Sequence, residues 1–135
     1  RLRAAYQAGQ TDPLAVVRMV LARIAAWPDP AVFILLRGAA AMEAVALALV
    51  ARGPDDLPLY GIPFAVKDNI DVAGLPTTAA CPEFSYTPVA SATVVDVLRA
   101  AGALLIGKTN LDQFATGLVG VRSPGGAPRS PCNPD

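Results

Sequence analysis

Proline and glycine are spread so unevenly that the two ends of this chain must be built differently. Ten of the thirteen prolines and eight of the eleven glycines lie beyond Gly53. Residues 1–53 are rich in alanine and poor in helix breakers, so they are expected to be helical. Residues 54–135 punctuate short apolar runs with turn residues, the pattern of strands and loops around one strong helix. In the first stretch Asp12-Pro13 marks a helix start. Asp12 is placed to cap, and Pro13 sits at the first helical position, where its missing N–H costs nothing. Leu14, Val17, Leu21 and Ile24 then form one apolar stripe, and Trp27-Pro28-Asp29-Pro30 ends the helix. Residues 32–36 are a short apolar run. A second helix is expected from about 38 to 51, with Met42, Val45, Leu49 and Val50 supplying bulk.

Beyond Gly53, residues 60–69 open with a turn and become a strand, and residues 71–88 read as a loop. Ser91 is placed to cap a helix running to about residue 101, with Val94, Val95 and Leu98 on its buried side. Gly102 stops that helix, and residues 103–106 have the length and apolarity of a strand. Strand, helix, strand is the βαβ unit, so the class is α/β and the two strands are expected to be parallel neighbours. Parallel strands are normally covered on both faces. The amino-terminal helices supply one cover and little remains for the other, so the segment reads as incomplete on its own. The run from Gly102 to Thr109 also satisfies the phosphate-loop pattern GxxxxGK[ST] letter for letter. A working phosphate loop lies between a strand and a following helix. Here a helix precedes Gly102 and the middle residues are themselves the strand, so nucleotide binding is rejected.

Composition narrows the function classes. At 53% hydrophobic and 16% charged, the chain has the material for a core and is unlike a disordered segment. Eleven basic and eleven acidic side chains cancel, which leaves no electrostatic reason to expect nucleic acid or an anionic membrane as partner. Cys81 and Cys132 are far apart and form no CxxC pattern, so two reduced structural cysteines are favoured over a disulfide. Residues 1–23 contain no apolar core followed by a cleavage site, and residues 39–51 are too short to span a bilayer and are broken by Glu43. A cytoplasmic location is the expectation. Arg1 stands where a methionine would, so the natural start is expected upstream or trimmed away.

There is no histidine, so neither a Ser-His-Asp nor a Cys-His arrangement can be built from these residues, and the usual zinc ligand sets lose their commonest member. Nine of the eleven basic residues are arginine, and the only lysines are Lys67 and Lys108. Lysine, unlike arginine, loses its proton readily when buried and then serves as a base. Lys67 ends the apolar run 62–66, at the carboxyl end of an expected parallel strand, where open α/β sheets place their active sites. Two readings stand at this point: a desolvated lysine acting as a base, or a lysine paired with Asp68 or Asp71 at a strand end.

The run Gly61-Ile-Pro63-Phe-Ala-Val-Lys67-Asp68-Asn69, then Gly74 and Thr77-Thr78, then Thr93-Val-Val, Leu98-Arg-Ala-Ala-Gly102-Ala and Gly107-Lys108-Thr109-Asn110 resembles the amidase signature family in order and spacing. Two further stretches, 71–82 and 110–120, are most similar to the branch of that family that hydrolyses allophanate, as are Leu2 to Tyr6 and residues 24–35. Gly125 departs from the pattern, which carries an aromatic after Ser123-Pro124. The resemblance implies the amino-terminal part of the amidase-signature fold, a mixed sheet covered by helices. Residues 1–53 would be a helical region, and residues 54–135 the start of the core, entering it through the βαβ unit.

The resemblance also implies a Ser–cis-Ser–Lys triad. One serine attacks an amide carbonyl, and a second relays its proton to an unprotonated lysine. Lys67 matches the family's lysine. Ala115, Thr116 and Gly117 match a region that walls the substrate pocket, and Lys108 matches a structural block whose turn is set by Asn110. Asp68 either orients Lys67 or bonds to backbone, the second being favoured, and Arg122 and Arg129 are either solvated or meet an anionic substrate. The implied partner is a small-molecule amide, with allophanate giving ammonia and carbon dioxide. No cofactor or metal is called for, and a homodimer of the full-length enzyme is compatible with it. The alternatives are another amidase, the amidase subunit of a tRNA-dependent amidotransferase, or a non-catalytic fragment. Both family serines belong to a Gly/Ser-rich segment expected just after Asn133-Pro134-Asp135, and none of Ser85, Ser91, Ser123 and Ser130 matches a triad position. The chain alone is therefore expected to be inactive. An open reading frame continuing past Asp135 into a Gly-Gly-Ser-Ser-like run is the expected finding; a stop codon there removes the enzyme reading of this polypeptide.

Overall fold

A computed structural model describes residues 1–27 and 29–132. Pro28, expected to help end the first long helix, and residues 133–135, before the expected serine-rich segment, lie outside the described residues. The elements run α1 (Leu2–Gln7), α2 (Pro13–Ala26), β1 (Phe33–Leu36), α3 (Ala39–Arg52), β2 (Pro63–Lys67), a 3₁₀ turn (Pro82–Phe84), α4 (Thr93–Ala100), β3 (Leu104–Thr109) and a second 3₁₀ turn (Gln113–Ala115). Contacts divide the chain into two compact units. The first is Arg1–Ala26, Arg37–Phe64 and Asp96–Ile106; the second is the described part of Trp27–Leu36, Ala65–Val95 and Gly107–Asp135.

In the first unit α2 starts as expected: Asp12 Oδ1 accepts the Ala15 N–H at 2.8 Å. Its buried residues are Pro13, Val16 and Val17, with Val20 packed on the core; Leu14, Leu21 and Ile24 are half-buried at its edge. On α3 only Met42 and Ala46 are buried. Leu49 packs on the core from the same side, while Val45 and Val50, expected to supply bulk, are exposed. The reason is that α3 is apolar almost all round, so its composition does not mark which side is covered. Tyr6, Val16, Leu57 and Tyr60 form the core cluster. The two tyrosine rings meet edge to face at 5.3 Å. Tyr6 Oη donates to Gly61 O at 2.8 Å, and burial first, then Tyr60 and Asp12, pushes its hydroxyl up to about 12, so it remains a donor.

The sheet order is β1-β3-β2. Gly61 N–H donates to Gly102 O, Leu104 N–H to Ile62 O and Asp68 N–H to Thr109 O. Both partners advance together along this ladder, so β2 and β3 are parallel, as the βαβ reading requires. Residues 104–109 are strand throughout, which removes the phosphate-loop reading on its own terms. Gly102 has φ +91° and closes α4 in a Schellman arrangement, with Ala103 N–H on Leu98 O and Gly102 N–H on Arg99 O. On α4 only Val95 is buried; Val94 is exposed rather than covered. Ser91 does not cap the helix, because its Oγ is taken by the Ala73 N–H at 2.9 Å. The apolar run 32–36 contains a strand, which so short a run does not define by itself. β1 lies antiparallel to β3, pairing Phe33 with Thr109 and Leu36 with Gly107 across an irregularity. Cys81 and Cys132 are both free thiols. No helix among the described residues is long and apolar enough to cross a membrane.

Gly61 marks a close approach. It has φ +65°, and a Cβ there would lie 2.7 Å from Tyr6 Oη and 2.8 Å from Pro13 Cγ. Gly61→Ala is expected to destabilise by about 2–4 kcal/mol from left-handed strain plus overpacking, read as a lower urea midpoint at unchanged slope.

Candidate functional site

The second unit collects every residue that the sequence singles out for chemistry. β2 carries Lys67 at its carboxyl end, with Val66 buried and Lys67 exposed. Asp68, one step further, is fully buried. Side chains alternate across a strand, so Val66 and Asp68 share the covered side and Lys67 leaves from the other. The expected desolvation of Lys67 is thus not met within this chain. The residue before it and the residue after it occupy the interior, and their burial sends the Lys67 side chain outward.

The buried lysine is Lys108. It lies in the otherwise apolar β3, its side chain entirely covered. A charge in such a place is stable only when paired and hydrogen-bonded. Lys108 Nζ sits 3.1 Å from Asp68 Oδ1 and donates to Pro76 O and to Thr77 Oγ1, each at 3.0 Å. The contact with Oδ1 is an ion pair rather than an aligned hydrogen bond; the directed bonds of the ammonium go to the two oxygens of the loop. Asp68 Oδ2 accepts both the N–H and the hydroxyl of Thr78. Asp68 therefore bonds to the loop and pairs with Lys108. The reading in which Lys67 pairs with Asp68 or Asp71 fails: among the described residues Lys67 forms no ion pair, and Asp71 accepts the Tyr86 hydroxyl at 2.8 Å.

The loop over residues 71–92 is more ordered than its proline and glycine content implied. Thr77 and Tyr86 form a two-way bridge, Gly74 N–H donates to Pro88 O and Ala92 N–H to Asp71 O. Ala79 and Ala80 adopt φ of +51° and +60°. From them the backbone leads to the second candidate region. Asp68 O accepts Ala79 N–H at 3.3 Å, Ala79 O accepts Phe114 N–H at 2.9 Å, and Gln113 Nε2 donates to Ala80 O at 3.2 Å. Phe114 rests edge to face on Phe84, which meets Tyr86 in the same way. The strand end bearing Lys67 and the turn bearing Ala115 are thus joined through residues 79 and 80.

Ala115 has φ +58°, Thr116 Oγ1 donates to Gln113 O at 2.8 Å, and Gly117 lies directly on the Asp112 carboxylate, where a Cβ would collide. Ala115 and Thr116 are exposed and Gly117 is half-buried. Asp112 organises the turn beyond them. Its Oδ2 accepts Val119 and Gly120 N–H, both at 3.0 Å, and its Oδ1 accepts Arg122 N–H at 2.7 Å. These bonds, Arg122 first, hold the carboxyl below its ordinary value against the opposing effect of burial. Asn110 fixes the next segment, receiving Leu111 N–H and the Ser123 hydroxyl and donating to Gly126 O. The departure at Gly125 falls inside this arrangement, its N–H on Ser123 Oγ. Arg122 thus serves the loop through its backbone. Arg129 gives its N–H to Asp29 at 2.7 Å and lays its guanidinium 5.6 Å from the Trp27 ring centre. A cavity of about 330 Å³ in the first unit is lined by Arg3, Tyr6, Asp55 and Tyr60 among others, and by none of Lys67, Ala115, Thr116 and Gly117.

Sequence reasoning missed Asp112 and undervalued Asp68 with Lys108. The signal for the pair was available: a lone lysine inside an apolar strand must find a buried anion. No comparable signal marks Asp112, whose partners are backbone amides. Because its folded value is depressed, its contribution to loop stability is present above the ordinary carboxylate range and is lost as pH falls through the depressed value. Acidification is expected to move the amide resonances of Val119, Gly120 and Arg122 together, and Asp112→Asn to give the same loosened loop at neutral pH.

Comparison with known proteins identifies the family and the fold. The Amidase family model matches residues 15–135. Urea amidolyase of Saccharomyces cerevisiae is 68% identical over 78 residues, covering 58% of this chain and 4% of the yeast protein. A glutamyl-tRNA(Gln) amidotransferase subunit of Symbiobacterium thermophilum is 42% identical over 97% of this chain and 28% of its own length. Allophanate hydrolase of Kluyveromyces lactis superposes with a TM-score of 0.72 at 45% identity, covering 92% of this chain and 21% of that one. The chain thus spans well under a third of the length of each of these relatives. With the family model matching nearly all of it, and the βαβ core folded as in these neighbours, the chain belongs to the amidase signature family.

Proposed function

We propose that this chain supplies the base-bearing part of an amide hydrolase whose substrate is allophanate. The observation that carries the reading is the placement of Lys67. It stands at the carboxyl end of a parallel strand, faces solvent, and belongs to no ion pair among the described residues. A base must be able to give up its proton, and a carboxylate in contact would hold it as ammonium. In this reading Lys67 takes the proton of the attacking serine through a second serine and later returns it to the leaving amine. Both serines lie on the Gly/Ser-rich segment that the family places after residue 135. Desolvation of Lys67 would come with that segment.

Ala115, Thr116 and Gly117 would wall a pocket for a small polar substrate. Four non-glycine residues in left-handed backbone, Ala79, Ala80, Phe114 and Ala115, cost roughly 1 kcal/mol each or more. Strain of this kind gathers where geometry serves a site. The likeness to urea amidolyase and allophanate hydrolase favours allophanate, giving ammonia and carbon dioxide. The amidotransferase subunit is the second reading, favoured by a match that runs along nearly the whole chain.

Isolated, the chain is expected to turn over neither allophanate nor a simple amide. Combined with the remaining part of an allophanate hydrolase core, it is expected to release ammonia from allophanate, and Lys67→Ala to lower that rate about 10²–10⁴-fold with unchanged circular dichroism. Turnover by the isolated chain that vanishes in Lys67→Ala would overturn this division of labour. Activity of the combined enzyme that survives the substitution would remove Lys67 as the base, and preference for glutamine would select the second reading.

A further inference from the structure

Two carboxylates lie within four positions of Lys67, and the fold engages both elsewhere. Asp71 accepts the Tyr86 hydroxyl. Asp68 is held more firmly, by Lys108 at 3.1 Å, by the N–H and hydroxyl of Thr78, and through its backbone by Thr109 and Ala79. Its side chain and that of Lys108 are wholly covered, whereas Lys67 emerges on the opposite side of β2. A stable strand end does not require a buried ion pair, since apolar residues of similar volume often serve as well. With a carboxylate next in sequence to the amine, pairing with Lys108 holds that carboxylate on the covered side and cancels its charge.

We propose that Lys108 is a positioning residue for Lys67: by pairing with Asp68 on the covered side of β2 it leaves Lys67 without a counter-ion. The proposal rests on the reading of Lys67 as a base, and it assigns Lys108 a purpose beyond filling the strand. It also makes a prediction that a purely structural role does not, because the two members of the pair carry opposite charges. Removing Lys108 leaves an unpaired carboxylate that favours the ammonium form of Lys67. Removing the Asp68 charge leaves an unpaired ammonium that disfavours it. Removing both restores neutrality.

The test is the rate at which acetic anhydride acetylates Lys67 at fixed pH in the folded chain, read by peptide mass spectrometry against an added reference peptide that bears one free lysine. Lys108→Met is expected to slow acetylation and Asp68→Asn to speed it, each about two- to fivefold for one buried charge left uncompensated under partial screening. The double variant D68N/K108M is expected to stay within about twofold of the original. Shifts in the same direction, or none, in folded single variants would overturn the proposal. Should a single variant lose its circular dichroism signature, the double variant decides: a rate changed beyond twofold in a folded double variant overturns it as well. Acetylation does not depend on amide turnover, so failure here leaves the catalytic reading of Lys67 to the turnover experiment.

Discussion

The contact between Lys108 and Asp68 is where the second unit is held. β3 brings an ammonium into an apolar strand, and burying it unpaired would cost several kcal/mol. Its partners are drawn from three places: the residue just past β2, the carbonyl of Pro76 and the hydroxyl of Thr77. One charge thereby ties two parallel strands to the loop between them. Asp68 then extends the tie through Thr78, which fixes the entry into the left-handed pair Ala79 and Ala80. It is this pair that specifies where the loop meets the strand ends.

From this anchor the order is passed on by backbone groups rather than by side-chain packing. Ala79 lies between Asp68 and Phe114, donating its N–H to the carbonyl of the first and accepting the N–H of the second. Asp112 then gathers three amides of its own loop, and Asn110 bridges to Ser123 and Gly126. The arrangement suits exposed loops, which have little apolar surface to bury and must satisfy their polar groups instead. It also explains why so many exposed residues here adopt defined conformations.

Elements set by local rules were legible from the amino-acid sequence. Asp12-Pro13 opens α2 and Gly102 closes α4 because capping depends on a few adjacent residues, and β2 and β3 follow from apolar runs of strand length. Faces were harder. Val45 and Val50 were expected to supply bulk and Val94 to be buried, yet all three are exposed. For the first two the reason is that a helix as apolar as α3 does not encode which side meets a neighbour. Ser91 has the chemistry of a cap, but Ala73, eighteen positions away, claims it. Of the candidate site, Lys67 was singled out by its motif and its place on the strand. Its exposure and the exclusive pairing of Asp68 with Lys108 were not, because they depend on which of two lysines the tertiary structure buries. Asp112 was invisible, since one carboxylate among eleven acidic residues announces nothing about the amides it will collect.

The antiparallel pairing of Phe33 with Thr109 has a consequence for how the chain comes into being. β1 is made early, but the strand it lies against follows roughly 75 residues later. Closing a loop of that length costs about 4 kcal/mol of chain entropy before any ladder bond repays it. During synthesis β1 must therefore wait, its edge unpaired, until β3 has left the ribosome, whereas β2, α4 and β3 arrive nearly together. Assembly from the βαβ unit outward follows from this timing, with β1 joining last. An unpaired four-residue edge is short enough to offer little purchase for a neighbouring chain in the interval.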